Sequence, residues 1–396
     1  MTSTAPSDLP LAGLTVVAVE QAVTGPYCSR QLADFGARVI KVERPGDGDF
    51  ARHYDQALNG LSAYFAWLNR GKESVVLDLK TDQGRTALER LVHRADIFVH
   101  NLAPGAIERL GLGYEACAAA APGLIWVGIS GYGPDGPYRD KKAYDMLIQA
   151  EAGVVSLTGT PEARAKVGIS IADISAGHYA YSSVLAALIQ RGKTGRGTRI
   201  DISMLECLVE WMTPQLYVQL GTGKPPARAG LRHNMIVPYG AYRCADGEVM
   251  FAIQSDREFR RLCQAVLERP DLADDPRYAR NPDRLINRVE LESLIETILG
   301  ALPVSTVVER LEKGEIANAV VNDLAAVAAH PQLRARGRWT TGTAATGEFP
   351  VLLPPHNLAG ARPRLGRVPA LGEHTAAVLA EIEAGGPSTT DPRPRN

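Results

Sequence analysis

Cysteine is scarce and unpatterned in this 396-residue chain: Cys28, Cys117, Cys207, Cys244 and Cys263 are odd in number and never fall at CxxC spacing. That argues against a disulfide frame and a cysteine zinc site, and for reduced thiols in a cytoplasmic protein. Each reads as a small buried hydrophobe. An excess of either charge is also lacking, with 43 Lys and Arg against 44 Asp and Glu and a net charge of −1. Bulk charge therefore implies no nucleic-acid partner and no membrane surface, while a local basic site for an anionic ligand stays open. No apolar run reaches the ~18 residues of a membrane span. The opening MTSTAPSDLPLAG has neither the basic nor the apolar region of a secretory signal. The motifs GxxxxGK(S/T), HExxH and GxSxG are missing, and no internal repeat is found.

What is present is an ordinary globular composition, 45% hydrophobic and 22% charged, at a length that implies two domains. Leu14–Glu20 is an apolar run suited to a buried parallel strand. Gly25-Pro26 and a helix-compatible run to Gly36 follow, then a second strand over Arg38–Glu43. Strand, helix and strand in that order indicate a parallel α/β sheet, whose ligands gather at the carboxyl ends of the strands. The pattern recurs with strands over Glu73–Leu79, Ala95–His100, Leu124–Ser130 and Arg199–Ser203, and a helix from Met204 toward Tyr217. Residues 1–220 thus read as a large parallel α/β domain. After the linker Gly221–Gly230, residues 226–330 read as a small α+β domain with a hairpin around Ala245-Asp246-Gly247. Residues 331–396 turn Pro- and Arg-rich and more extended, with a short helix over His374–Glu383 and a polar, Pro-rich tail expected to be disordered.

Gly131, Gly133 and Gly136 spell GxGxxG after a strand, but Pro134, Pro137 and the polar YRDKKAYD do not open a helix, so a nicotinamide fingerprint is rejected. The most informative stretch is Val167–Arg191. Asp173 stands at the expected start of a long helix closed by Arg191-Gly192, where backbone N–H groups and the helix dipole favour an ionised carboxylate. On local grounds alone, Asp173 reads as a helix cap.

Several segments change that reading. LAGLTVVAVEQAVTGPYCSRQLADFGARVIKVERPGDGD, NRGKESVVLDLKTDQG, HNLAPGAIERLGL, ISGYGPDGP, RGKTGRGTRIDISMLE and LGEHT, which together span Leu11–Thr375, resemble family III CoA-transferases. The family also contains α-methylacyl-CoA racemases. The resemblance implies two intertwined, ring-shaped subunits, an interlocked homodimer of large Rossmann-like and small domains. It implies that Asp173 is the catalytic nucleophile, forming a mixed anhydride with the acyl group and then an aspartyl-CoA thioester. It also implies CoA contacts at Val23, Thr24, Arg44, Leu77 to Lys80, Asn101, Leu102, Arg109, Lys142 and Tyr144. Arg and Lys there suit the phosphates of CoA; without the resemblance each would read as a solvated surface charge. CoA and acyl-CoA are implied as substrates, with small carboxylic acids as co-substrates and no permanently bound cofactor or metal.

Racemases of the family pair the aspartate with a histidine in a GHD segment. Here Ala143-Tyr144-Asp145 stands in its place, and a tyrosine is a poor α-proton base at neutral pH, which favours the transferase. His178, five residues beyond Asp173, lies on another flank of the helix. The residues of Gly230–Gly240, GLRHNMIVPYG, lack the glycine run of formyl-CoA transferase and look more like members acting on dicarboxylates such as succinate. Arg232 and His233 would bind a second, non-reacting carboxylate, or else anchor the linker. The alternatives are a racemase of the same family and, more distantly, a non-catalytic CoA-ester binding protein.

Overall fold

The computed structural model describes residues 9–363 and 365–385, which divide into two compact units. The first takes in the chain up to Gly153, Val167–Met212 and the chain from Leu333 onward. Its frame is a six-stranded sheet of β1 (Thr15–Val19), β2 (Arg38–Glu43), β3 (Lys72–Val76), β4 (Ile97–His100), β5 (Ile125–Ser130) and β6 (Arg199–Ser203). The spatial order is β3-β2-β1-β4-β5-β6 and every pairing is parallel. Val16, Val17, Ile97, Phe98, Val99 and Val127 are buried completely, as expected where helices cover both faces. The strand order reverses between β1 and β4, and their carboxyl ends flank the crevice where such sheets take ligands.

Two helices form one of those layers. Helix Thr24–Asp34 follows β1, and helix Ile171–Thr194 packs on it. The close approach depends on Gly177, because a Cβ there would lie 2.6 Å from the Thr24 carbonyl oxygen. The long helix runs past the expected stop at Gly192 and ends at Gly195, whose φ of 69° is the left-handed closing conformation. On the other face, Val378 and Ile382 of helix Thr375–Glu383 join the core of Phe98 and Trp126.

The second unit comprises Val154–Lys166 and Thr213–Gln332. Helix Met204–Trp211 gives way at Met212 to a new one, Thr213–Thr222, which opens the longer segment of the unit. Pro214, which cannot continue an i→i−4 ladder, sits in its first turn. Strands β7 (Tyr239–Arg243), β8 (Glu248–Ala252) and β9 (Ala317–Ala319) form an antiparallel sheet, with the β7–β8 turn at Cys244–Gly247. Helices Arg288–Leu299 and Val304–Lys313 bury Leu291, Ile295, Val307 and Leu311 against Phe251 and Phe259. Among the described residues no single helix is long and apolar enough to cross a membrane.

The return segment is less extended than its composition suggests. It carries a hairpin, β10 (Trp339–Ala344) with β11 (Gly347–Leu352), whose Phe349 and Val351 pack with Phe65 and Ala66. After the GxGxxG stretch no helix begins until Asp145, and Gly133 and Gly136 adopt positive φ in a loop. All five cysteines are buried free thiols. The polar tail beyond Gly385 lies outside the described residues.

Candidate active site

The loop leaving β1 is held from several sides. Asn101, just past β4, accepts from the Gln21 backbone N–H through its Oδ1 at 3.0 Å and donates from Nδ2 to the Gln21 carbonyl at 2.8 Å. The Ala22 N–H donates to Asp49 Oδ1 at 2.9 Å, which supports the left-handed conformation of Ala22. Asp49 in turn accepts from Lys41 Nζ at 2.8 Å. Lys41 and Lys72 are both buried, and Lys72 Nζ donates to Glu20 Oε1 at 2.6 Å, to the Pro26 carbonyl and to Asn69 Oδ1. Buried charge is stable only when paired in this way. Together these bonds fix where helix Thr24–Asp34 begins, with Val23 buried at its cap position and Thr24 as its first residue.

Thr24 is thereby aimed at Asp173: its Oγ1 donates to Asp173 Oδ1. Asp173 lies in the first turn of its helix but is not the cap. Ser170 holds that position without a capping bond, and the cap is supplied from elsewhere. Asp145 Oδ1 accepts from the backbone N–H groups of Ala172 and Asp173 at 2.8 and 3.3 Å. Gln149, fully buried, steadies Asp145 by donating to its Oδ2 at 2.7 Å and accepting from the Val167 N–H. One carboxylate therefore caps the helix and the other is left free to react.

The electrostatic consequence departs from the simple helix-dipole expectation. Burial pushes the Asp173 carboxyl up to about 6; the Thr24 hydrogen bond opposes this and the Asp145 charge adds to it. Desolvation outweighs the helix terminus because Asp145 has already taken the terminal N–H groups. At pH 7 the carboxylate is still mostly ionised, and burial leaves it poorly solvated. Tyr54, half-exposed, has its phenol pushed up first by burial and then by the Asp49 and Asp173 charges. Nothing in its local sequence marks Tyr54 for this place.

The expected CoA residues fall into groups. Arg44, Leu77, Lys80 and Leu102 line one cavity of about 390 Å³ over the carboxyl ends of β1, β2 and β3. Arg44 is exposed, with its guanidinium 5.4 Å from the Phe50 ring, and among the described residues neither it nor Lys80 makes an ion pair. Asn101 is committed to Gln21. Arg109 is exposed and its guanidinium covers Gly105, where a Cβ would lie 2.9 Å from Nη1. Lys142 and Tyr144 are exposed on the loop entering helix Asp145–Glu151.

Arg232 and His233 belong to the second unit. Arg232 donates to Glu292 Oε2 at 2.6 Å and to Glu296, and its guanidinium lies 4.5 Å from the Tyr242 ring centroid. The His233 ring stacks on Tyr239 at 5.2 Å and its Nδ1 accepts from the Met235 N–H. These contacts are those of an anchored linker. His178 is exposed, with Tyr181 its ring neighbour at 6.4 Å, and Tyr181 leads on to His356. Among the described residues no cluster of His, Cys, Asp and Glu suits a metal ion.

Comparison with known proteins agrees with this architecture. The family model for CoA-transferase family III matches residues 11–375. A succinate–glutarate CoA-transferase of Agrobacterium fabrum is 36% identical over 94% of this chain and 96% of its own length. A succinyl-CoA:mesaconate CoA-transferase of Haloarcula hispanica is 34% identical over 95% of this chain and 97% of its own. The crystal structure of a CAIB/BAIF family protein from Brucella suis superposes with a TM-score of 0.81 at 36% identity, covering 94% of this chain and 99% of that one. The chain belongs to CoA-transferase family III.

Proposed function

We propose that the protein moves CoA between carboxylic acids, with a dicarboxylyl-CoA such as succinyl-CoA as donor and Asp173 as the covalent relay. The observation that carries the reading is the free, half-buried Asp173 carboxylate, oriented by Thr24 while Asp145 does the capping. The CoA end of the substrate occupies the cleft of Arg44, Leu77, Lys80 and Leu102, with Arg109 and Lys142 offering further cations. One Asp173 oxygen attacks the thioester carbonyl, the C–S bond breaks, and a mixed anhydride and CoA thiolate result. The thiolate attacks the Asp173 carbonyl of the anhydride, which releases the donor acid and leaves an aspartyl-CoA thioester. The acceptor carboxylate attacks that thioester, giving a second anhydride and thiolate. Attack of the thiolate on the acceptor carbonyl then yields the new CoA ester and restores Asp173. Charge and atoms balance without water, so excluding water protects both anhydrides.

The names of the relatives support dicarboxylates as the substrate class. The racemase alternative needs a second base opposite Asp173, and what speaks for the transferase is Tyr144 at the position where the family's racemases carry histidine. An interlocked homodimer is part of the same proposal, and Tyr54, Tyr64 and Trp67, all exposed in the single chain, suit burial by a second subunit or by substrate. The test is incubation with succinyl-CoA and isotope-labelled glutarate or mesaconate, read by mass spectrometry. Label is expected in the CoA ester, and hydroxylamine with acyl-CoA should convert Asp173 to its hydroxamate. Label transfer by Asp173→Ala would overturn the relay.

A further inference from the structure

Gly177 lies well inside helix Ile171–Thr194, four residues beyond Asp173 and so on the same face. Glycine is a poor helix former, because it gives up more backbone freedom than any other residue. Its backbone here is ordinary helix, so no left-handed φ requires it. The reason for a glycine must come from packing, and residue 177 is buried.

Helix Thr24–Asp34 supplies that reason. A Cβ at residue 177 would lie 2.6 Å from the Thr24 carbonyl oxygen, 3.0 Å from Tyr27 Cδ1 and 3.2 Å from Tyr27 Cβ. The same Thr24 donates through Oγ1 to Asp173 Oδ1. Thr24 thus meets the long helix at two points one turn apart, its carbonyl against the bare Cα of Gly177 and its hydroxyl against the carboxylate. The first contact sets the spacing at which the second can form.

The fold has little room to absorb a methyl group at this point. The nearest atom is backbone, not the tip of a flexible side chain. The loop before Thr24 is pinned at Gln21 by Asn101 and at Ala22 by Asp49. The Tyr27 N–H, donating to the Val23 carbonyl at 2.7 Å, closes the first turn. Widening the contact from 2.6 Å to an ordinary 3.4 Å would part the two helices by about 0.8 Å and carry Asp173 with its helix. Hydrogen-bond geometry and the register of reacting groups are both lost on that scale.

We propose that Gly177 is a positioning residue for the transfer reaction: its bare Cα seats the Thr24 carbonyl, and so lets the Thr24 hydroxyl reach Asp173. The inference rests on Asp173 as the covalent relay.

The experiment follows label transfer from succinyl-CoA to labelled glutarate, as a function of pH, in wild type, Gly177→Ala, Thr24→Val and the double variant. Gly177→Ala should move the acid limb of kcat/KM up by about one unit, as Thr24→Val does, because either change frees the carboxylate from its hydrogen bond. The double variant should move it no further, since the bond can be lost only once. A glycine needed only for packing would lower the unfolding midpoint and leave the limb in place. Should Gly177→Ala fail to fold, Tyr27→Ala gives the new methyl group room on the ring side and keeps the carbonyl contact, and the pair is compared with Tyr27→Ala alone. A pair that still does not fold would assign Gly177 to the fold and overturn the proposal. So would an unmoved acid limb, one that moves when Thr24→Val leaves it in place, or one that moves further in the double variant. Label transfer by Asp173→Ala would instead remove the relay on which the inference rests; with Asp173→Ala inactive, those outcomes reject the role of Gly177 alone.

Discussion

Thr24 and Asp173 are 149 residues apart in the chain and share a hydrogen bond, hydroxyl to carboxylate. The bond holds one carboxylate oxygen and partly offsets the burial that raises the group to about 6. In Thr24→Val the offset is lost and Asp173 titrates higher still. A hydrogen bond to a charged group contributes about 1.5–3 kcal/mol, the equivalent of one to two pKa units. The acid limb of kcat/KM should therefore move up by about one unit. The variant should lose roughly threefold in rate at pH 6.5 and recover nearly all of it by pH 8.5. A pH–rate profile of both proteins checks this, and an unshifted acid limb would contradict it.

Stability should carry the opposite signature. The Asp173 carboxyl has moved from its ordinary 3.8 to about 6, so the folded chain holds this proton more tightly than the unfolded chain. Stability linked to the protonated group is fully present below about 3.8 and is lost as pH rises through about 6. Asp173→Asn escapes that loss. It should be more stable than the wild type by about 1–2 kcal/mol at pH 7.5, allowing for partial solvent screening, and equal to it near pH 4. Thermal unfolding midpoints at the two pH values decide the point.

The parallel sheet was legible because its signals are local. Arg38–Glu43 reads as a strand from six residues between Gly36 and Pro45, and β2 has those bounds. The position of Asp173 was legible for a different reason, the family motifs around it. Its local pattern pointed to a cap, yet the capping is done by Asp145, 27 residues from Ala172 in the chain. Partners brought together by the fold have no local trace. The Asn101 clamp on Gln21 and the commitment of Arg232 to Glu292 and Glu296 are of this kind. So is Tyr54, which reaches the field of Asp173 from an irregular stretch.

Lys41 tests the frame under the loop. It is fully buried, 2.8 Å from Asp49 and within hydrogen-bond reach of the Glu20 carbonyl. Lys41→Met leaves Asp49 buried and unpaired, which costs about 3–5 kcal/mol. The denaturation midpoint should fall sharply, and Lys41→Met combined with Asp49→Asn should be more stable than Lys41→Met alone. A double-mutant cycle by urea titration measures the coupling.

Arg232 should behave as a structural residue of the second unit. Its removal leaves the carboxylate of Glu292, largely buried, without one of its two arginine partners; Arg288 remains. Arg232→Ala should lower the unfolding midpoint and leave KM for the acceptor acid within about twofold of the wild type. A rise in that KM of tenfold or more, in a variant of unchanged stability, would instead make Arg232 a carboxylate-binding group.

Arg44 and Asn101 separate binding from positioning within the first unit. Arg44 is exposed in the cleft with the Phe50 ring beside it, and among the described residues it makes no ion pair, so Arg44→Ala removes a cation and disturbs little else. KM for acyl-CoA should rise roughly tenfold with kcat nearly unchanged, the mark of an interaction made equally in ground and transition states. The same variant should lose less toward a CoA analogue shorn of phosphate, because the missing charges no longer need a partner. Asn101 instead fixes Gln21 at 3.0 and 2.8 Å, and through that loop it fixes where Thr24 meets Asp173. Asn101→Ala should lower kcat by roughly a hundredfold, the scale on which a small misplacement of reacting groups is felt. Asn101→Asp, which keeps only the acceptor half of the clamp, should fall between. Steady-state kinetics with varied acyl-CoA resolves the two patterns. An Asn101→Ala variant that changes KM alone would move this residue from the positioning of Asp173 to the direct binding of CoA.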